Sequence, residues 1–306
     1  MREIGQILTP MVTPFNAKGD VDFGRAGKYA KWLCETGRAD SIIVSGTTGE
    51  FPSLTFEERV RLFEIVMEAV GAKLPVIAGT GCASTDETIR LTKAAERIGV
   101  DMAMIVAPFY CKPSQEGIYN HYRTIAKAVS LPIMLYNIPL FTGVNIEPDT
   151  LARLARTPNI VAIKEESGIN PLQTTRYLMC VPKGFRLYVG DDTMVLPILA
   201  QGGAGVVSGG AQICGADLRK LIDALIAGDI ATAQEFHRRT FPLFEAFYQN
   251  GRINPIPILK AGIKLAGFDV GEPRSPLMPA TPSEVKGIRA VMAERGYIGK
   301  QRTARR

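Results

Sequence analysis

A lysine at the end of an apolar segment is the first residue of the chain whose position suggests chemistry. Residues 160–163 have the length and character of a buried parallel strand, and Lys164 follows them directly. In barrels of parallel strands the catalytic side chains lie where the strands end, and a desolvated lysine there can act as a nucleophilic amine. Lys164 could therefore form a Schiff base with a keto acid, although a strand-end lysine can also simply extend into water.

Tyr136 ends the preceding apolar segment, residues 132–136. Neighbouring parallel strands end at the same edge of a barrel, so the side chains of Tyr136 and Lys164 are expected to converge. A phenol beside the amine can move protons while the lysine adds to a ketone and water is lost. The alternative is an aromatic ring that only fills the upper layer of the barrel.

A loop of small and hydroxylated residues, Gly46-Thr47-Thr48-Gly49, follows the second predicted strand. Free backbone N–H groups and hydroxyls of this kind suit a carboxylate, although an ordinary turn with capping threonines has the same composition. If the loop holds the carboxylate of a keto acid, the carbonyl carbon faces Lys164. The imine then gives an enamine that can attack an aldehyde, and this chemistry requires no metal or other cofactor.

Short apolar segments alternate with helical patterns along most of the chain. They predict strands at residues 7–12, 41–44, 75–78, 102–106, 132–136, 160–164, 185–189 and 205–208. This alternation is typical of the α/β class and predicts a (β/α)8 TIM barrel over residues 1–217. Residues 218–298 predict a small C-terminal helical extension, and residues 299–306 form a basic tail that we expect to be disordered.

Composition argues against several other classes of protein. The chain has 306 residues, 46% of them hydrophobic, and neither a signal peptide nor an apolar run long enough to cross a bilayer, so we expect a cytoplasmic protein without a membrane partner. Four of the six net positive charges come from Lys300, Arg302, Arg305 and Arg306, which argues against nucleic-acid binding. The five scattered cysteines are expected to be reduced thiols. His121 and His237 fall in predicted helices, which argues against a histidine triad or a histidine-built zinc site.

The motifs in combination resemble one known family. The segments GTTGE (46–50), PSQEG (113–117), YNIP (136–139), IKE (163–165) and NPIP (254–257) are similar to those of the dihydrodipicolinate synthase and N-acetylneuraminate lyase family. Members of this family are pyruvate-dependent class I aldolases. The resemblance covers nearly the whole chain, and it implies pyruvate and an aldehyde as substrates.

The resemblance also implies roles for individual residues. Lys164 would form the Schiff base, Tyr136 would shuttle protons, and Thr47 and Thr48 would serve the carboxylate and the proton relay. Tyr110 matches a tyrosine lent to the relay across a dimer interface, which implies a homotetramer built as a dimer of dimers. The remaining pocket residues are Gly46 of the carboxylate loop and the backbone positions Gly190 and Val207.

Phe141 departs from the synthase branch of the family. Synthases carry an arginine there that holds the carboxylate of aspartate semialdehyde, and losing such a contact typically lowers affinity by roughly a hundredfold or more. We therefore expect an uncharged or hydroxylated aldehyde, such as glyceraldehyde, in the substrate-binding position beside Phe141. Ala83 and Phe109 replace the asparagine and tyrosine of lysine-inhibited synthases, so lysine feedback is not expected.

Several alternatives stay open at this level. The combination of Glu50-Phe51 after the threonine loop with an apolar residue at position 141 also occurs in aldolases for 2-keto-3-deoxy sugar acids. Keto-acid dehydratases and deaminases use the same lysine. The glycine-rich segments 202–205 and 208–210 could bind phosphate, and Asp191 and Asp192 could hold Mg²⁺. Close packing of strand and helix is the commoner explanation for the glycines, and helix capping is the commoner one for the aspartates. A keto-acid-binding protein without catalytic activity is a further class.

Overall fold

The computed structural model describes residues 2–168 and 170–299. Eight parallel strands close into a barrel in sequence order, and β8 pairs with β1 through Leu8 and Val207. The strands are β1 Ile7–Pro10, β2 Ser41–Val44, β3 Val76–Gly79, β4 Met102–Val106, β5 Ile133–Asn137, β6 Ile160–Glu165, β7 Arg186–Val189 and β8 Gly205–Val207. The predicted (β/α)8 TIM barrel is therefore confirmed.

The predicted strand limits differ from the observed ones by at most two residues at either end. Two of these differences concern proline, since Pro75 and Pro132 were predicted as first strand residues but lie just before β3 and β5. Proline has no N–H group for the ladder, although its carbonyl can still accept, as that of Pro75 does from the N–H of Ile42. Strands β5 and β6 extend one residue further than predicted, to Asn137 and Glu165.

Helices surround the barrel and form its C-terminal part. Those of the described residues are α1 Phe23–Glu35, α2 Phe56–Val70, α3 Thr85–Ile98, α4 Gln115–Ala128, α5 Pro139–Thr142, α6 Pro148–Leu154, α7 Pro171–Cys180, α8 Val195–Leu199, α9 Ala211–Ile226, α10 Ile230–Ala246, α11 Ile256–Leu265 and α12 Pro282–Arg295. His121 lies on α4 and His237 on α10, as predicted. All five cysteines are free thiols.

Alternation along each strand sorts the side chains into two apolar clusters. On β5, Met134 and Tyr136 face the barrel interior, whereas Ile133 and Leu135 pack against the surrounding helices. The same alternation applies to β6, where Ala162 faces inward and Ile163 faces the helices. This arrangement turns Tyr136 and Lys164, which are paired across the two strands, toward the inside of the barrel mouth.

A buried ion pair connects the C-terminal helices to the barrel. Lys260 of α11 is 1% exposed, and its Nζ atom lies 2.6 Å from Oε1 of Glu50 and 2.9 Å from the carbonyl oxygen of Thr13. Burial lowers the pKa of Lys260 and raises that of Glu50, and their mutual attraction partly offsets both shifts. The pair fixes α11 beside the loop that contains Thr47 and Thr48.

Two predicted boundaries lie in the C-terminal part of the chain, at residues 217 and 299. Helix α9 runs through residue 217, so the predicted division between barrel and extension falls inside a helix, and the division itself stays a prediction. Residues 300–306 of the basic tail lie outside the described residues. Within the described part of the chain, no helix combines the length and apolar character needed to cross a membrane.

Candidate active site

A cleft opens where the strands of the barrel end. It brings together residues that are far apart in the sequence and that the sequence analysis had singled out. These are Thr47, Thr48, Tyr136, Phe141, Lys164, Gly190 and Val207. Gly46 lines an adjoining crevice that shares Thr47 and Tyr136 with the cleft.

Lys164 is the central basic residue of the cleft. It is only 4% exposed, and its Nζ atom lies 4.0 Å from the centroid of the Tyr136 ring. The two side chains lie close together because parallel pairing of β5 and β6 places Tyr136 and Lys164 opposite each other at the same depth. The predicted convergence of these side chains is therefore confirmed.

The hydroxyl of Tyr136 connects two polar groups of the cleft. It donates a hydrogen bond to Oε2 of Glu166 at 2.7 Å and accepts a long one from Oγ1 of Thr47 at 3.5 Å. Burial raises the pKa of Tyr136 well above its usual value, and the negative charge of Glu166 raises it further. The phenol consequently stays protonated at neutral pH.

Glu166 is the main residue that the sequence analysis missed. Its Oε2 atom lies 2.8 Å from Nζ of Lys164, and the two side chains are 20% and 6% exposed respectively. The inward alternation of Ala162 and Lys164 continues to position 166 beyond the end of β6, whereas Glu165 faces outward to Asn137 and Gln173. That two-residue spacing was the signal that could have identified Glu166.

Gly190 is required by close packing around the lysine. A Cβ atom at this position would lie 2.6 Å from Cε of Lys164 and 2.7 Å from Oε2 of Glu166. Both distances are far shorter than carbon atoms tolerate, so a larger residue would displace the lysine or the carboxylate. Val207 forms part of the apolar floor of the barrel interior.

The loop with the threonine pair has a defined conformation. Thr47–Gly49 form a single 3₁₀ turn, and Glu50 follows with a left-handed backbone at φ 58°. The side chain of Glu50 accepts a hydrogen bond from the N–H group of Arg274 and pairs with Lys260. Helix α11 and the segment that follows it therefore hold the loop in place. The first N–H groups of a helical turn have no partner within the turn and are directed outward.

Residues from the C-terminal part of the chain form one wall of the cleft. Tyr248, Ile256 and Leu259 line it, together with Asp192 from the segment after β7. Burial raises the pKa of Asp192 to about 7, although hydrogen bonds from Ser208 and Gly210 favour its anion. From the sequence, Asp192 was a candidate magnesium ligand or a helix cap, and this wall of the cleft was not predicted.

Local contacts support helix capping as the role of Asp191 and Asp192, and close packing as the reason for the glycines around β8. Asp191 accepts hydrogen bonds from the backbone and hydroxyl of Thr193, and Asp192 accepts one from the N–H of Gly210 at 2.8 Å. A Cβ atom on Gly205 would lie 2.3 Å from the carbonyl oxygen of Gln6, so close packing requires that glycine. The described residues contain no group of three or more acidic, histidine or cysteine side chains able to hold a metal ion.

Tyr110 does not reach the cleft of its own chain. Its side chain is 94% exposed, and its backbone adopts a positive φ of 70°. A left-handed conformation is uncommon for a bulky residue and is often found at functional positions. Phe141, by contrast, lines the cleft from the short helix α5 and is 40% exposed.

Comparison with known proteins identifies the family. A sequence profile of the dihydrodipicolinate synthetase family matches residues 3–294. The chain belongs to this family. As a member, it is a class I lyase that forms a Schiff base with pyruvate through a lysine, in agreement with the resemblance found in the motifs.

Relatives in this family match the chain over almost its whole length. The 4-hydroxy-tetrahydrodipicolinate synthase of Symbiobacterium thermophilum is 46% identical and covers 97% of this chain, with 100% of its own length matched. A dihydrodipicolinate synthase structure from Cyanidioschyzon merolae, with lysine bound, is 43% identical with a TM-score of 0.92, covering 96% of this chain and 99% of that one. The chloride-inhibited dihydrodipicolinate synthase of Acinetobacter baumannii, complexed with pyruvate, is 33% identical with a TM-score of 0.90. The match covers 97% of this chain and 100% of that one.

Proposed function

We propose that Lys164 is the Schiff-base lysine and that the enzyme condenses pyruvate with a small aldehyde of low charge. The observation that carries this proposal is the position of the lysine. Lys164 is almost completely buried at the end of β6, with its amine over the ring of Tyr136 and within the cleft that Thr47 and Thr48 line. A buried amine at the mouth of a barrel suits nucleophilic addition to a keto acid.

The other cleft residues support distinct roles in this reaction. Thr47 and Thr48, next to Gly46, offer hydroxyl and N–H groups for the carboxylate of pyruvate, and Tyr136 donates protons as the carbinolamine loses water. Gly190 leaves room for the lysine and the imine carbon. Val207 contributes an apolar surface beneath the methyl group of pyruvate.

The surroundings of the cleft favour an aldehyde without a carboxylate. Phe141 offers an aromatic ring where an arginine would pair with an anionic substrate, and Glu166 and Asp192 add acidic side chains to the same cleft. The curated relatives are named as synthases, which favours condensation over sugar-acid cleavage. A hydroxylated or otherwise uncharged aldehyde therefore fits the site best.

Chemical trapping tests the assignment of the lysine. Incubation with pyruvate and borohydride should reduce the imine to a stable adduct, and peptide mass mapping should find it on Lys164. An adduct on another residue, or none at all, would contradict the proposal. Trapping also distinguishes a catalytic Schiff base from simple binding of a keto acid, because only an imine is reduced in this way.

We further propose that the enzyme works as a homotetramer, a dimer of dimers, in which Tyr110 completes the proton relay of a neighbouring subunit. The exposed aromatic ring and the left-handed backbone of Tyr110 support this arrangement. The cytoplasmic location inferred from the sequence stays a prediction.

Tyr110→Phe is expected to lower turnover strongly while the pyruvate adduct still forms in part. The ring remains, but the hydroxyl that would pass protons between subunits is lost. Mixing this variant with Lys164→Ala subunits should restore some activity, because a hybrid dimer contains one site with both a lysine and a partner hydroxyl. If activity stays absent after subunit exchange has been verified by mass spectrometry, the tyrosine does not act across an interface.

A further inference from the structure

A carboxylate contacts the nitrogen that would form the substrate imine, and neither the sequence motifs nor the relatives' names assign it a role. Oε2 of Glu166 contacts Nζ of Lys164 at 2.8 Å and the hydroxyl of Tyr136 at 2.7 Å. In an imine of pyruvate the methyl carbon is two bonds from Nζ. A group that touches Nζ is therefore within reach of the methyl hydrogens.

The neighbouring hydroxyls are poorly suited to remove a proton from carbon. Tyr136 is held as a neutral phenol, since burial and the charge of Glu166 raise its pKa well above the usual value. The hydroxyl of Thr47 is weakly coupled to it, at 3.5 Å. Glu166, by contrast, is held by hydrogen bonds from both Tyr136 and Lys164, so that its oxygen is fixed at the reacting nitrogen.

We propose that Glu166 is the base that converts the pyruvate imine into the enamine, and the acid that protonates the product oxygen. This inference rests on the proposed Schiff base at Lys164. Glu166 takes a proton from the methyl carbon, the C–H pair becomes the C=C bond, and the C=N π pair moves to nitrogen. When the enamine attacks the aldehyde, its C=C π pair forms the new C–C bond and the nitrogen lone pair re-forms the C=N bond of a protonated imine. The π pair of the aldehyde carbonyl moves to oxygen, which takes the proton from Glu166.

Exchange of the methyl hydrogens of pyruvate in D₂O, followed by proton NMR without aldehyde, isolates this step. Glu166→Gln should slow the exchange by about 100-fold or more, because the amide keeps the size of the side chain but cannot accept the proton. Turnover should fall with it. Borohydride trapping at equilibrium should still give the adduct, since the lysine is unchanged. Glu166→Asp should recover part of the exchange by restoring a carboxylate.

Glu165→Gln provides a matched control on the adjacent residue. Its carboxylate faces Ser167, Asn137 and Gln173, away from Lys164, so the exchange rate should stay close to that of the unmodified enzyme. Rapid exchange in Glu166→Gln would overturn the inference, as would equal losses in both variants. Loss of the adduct in Glu166→Gln alone would also overturn it, because the carboxylate would then act before the imine exists. Failure of the unmodified enzyme to form an adduct would instead refute the proposed function on which the inference rests.

Discussion

Lys164→Ala is expected to lower turnover by roughly 10⁴-fold or more and to abolish the pyruvate adduct, because Lys164 is the only lysine among the described residues that line the cleft. Lys164→Arg should be equally inactive, since a guanidinium stays protonated and cannot attack a carbonyl. Steady-state kinetics and mass spectrometry after borohydride treatment measure both effects.

The loss of turnover in Lys164→Ala should come from the missing amine and not from unfolding. Without Lys164, Glu166 keeps the hydrogen bond from Tyr136 and its side chain is 20% exposed, so its charge remains partly solvated. Circular dichroism should therefore report an intact barrel in Lys164→Ala. Lys183→Ala, which removes an exposed lysine elsewhere, serves as the control and should keep full activity. An adduct that persists in Lys164→Ala would assign the Schiff base to another lysine.

Phe141→Arg is expected to raise kcat/KM for aspartate semialdehyde by about 100-fold relative to glyceraldehyde. A guanidinium on α5 can pair with the carboxylate of the first aldehyde, which the aromatic ring of the natural residue cannot do, and a partly buried contact of this kind is worth about 3 kcal/mol. The unmodified enzyme should prefer the uncharged aldehyde. A panel of pyruvate with aspartate semialdehyde, glyceraldehyde and N-acetylmannosamine measures this preference.

Two control variants separate charge from shape in this experiment. Phe141→Leu removes the ring without adding a charge and should leave the preference between the aldehydes nearly unchanged. Lys112→Ala tests a cation that lies close to the same loop, because its Cε atom would be 3.0 Å from a Cβ atom on Gly143. A high kcat/KM for aspartate semialdehyde in the unmodified enzyme, unaffected by Lys112→Ala, would refute the predicted preference.

Much of the fold could be predicted from local patterns. Apolar segments of strand length alternate with helical periodicity, and a parallel barrel is the arrangement that buries eight such strands on both faces. The proximity of Lys164 and Tyr136 could also be predicted from local patterns. Each residue lies near the end of an apolar strand, and the ends of adjacent parallel strands lie at the same edge of the barrel.

The folded structure brings further groups to the cleft around the lysine. The two-residue spacing from Lys164 indicates that Glu166 faces inward, but its hydrogen bond from Tyr136 depends on the pairing of β5 with β6. Asp192 reaches the cleft from the segment after β7, and Tyr248 reaches it through the packing of the C-terminal helices on the barrel. The strands, the reactive residues at their ends and the inward direction of position 166 follow from alternation and periodicity, which are local properties of the sequence. The places of Asp192 and Tyr248 in the cleft depend on long-range packing, because their segments meet only in the folded chain.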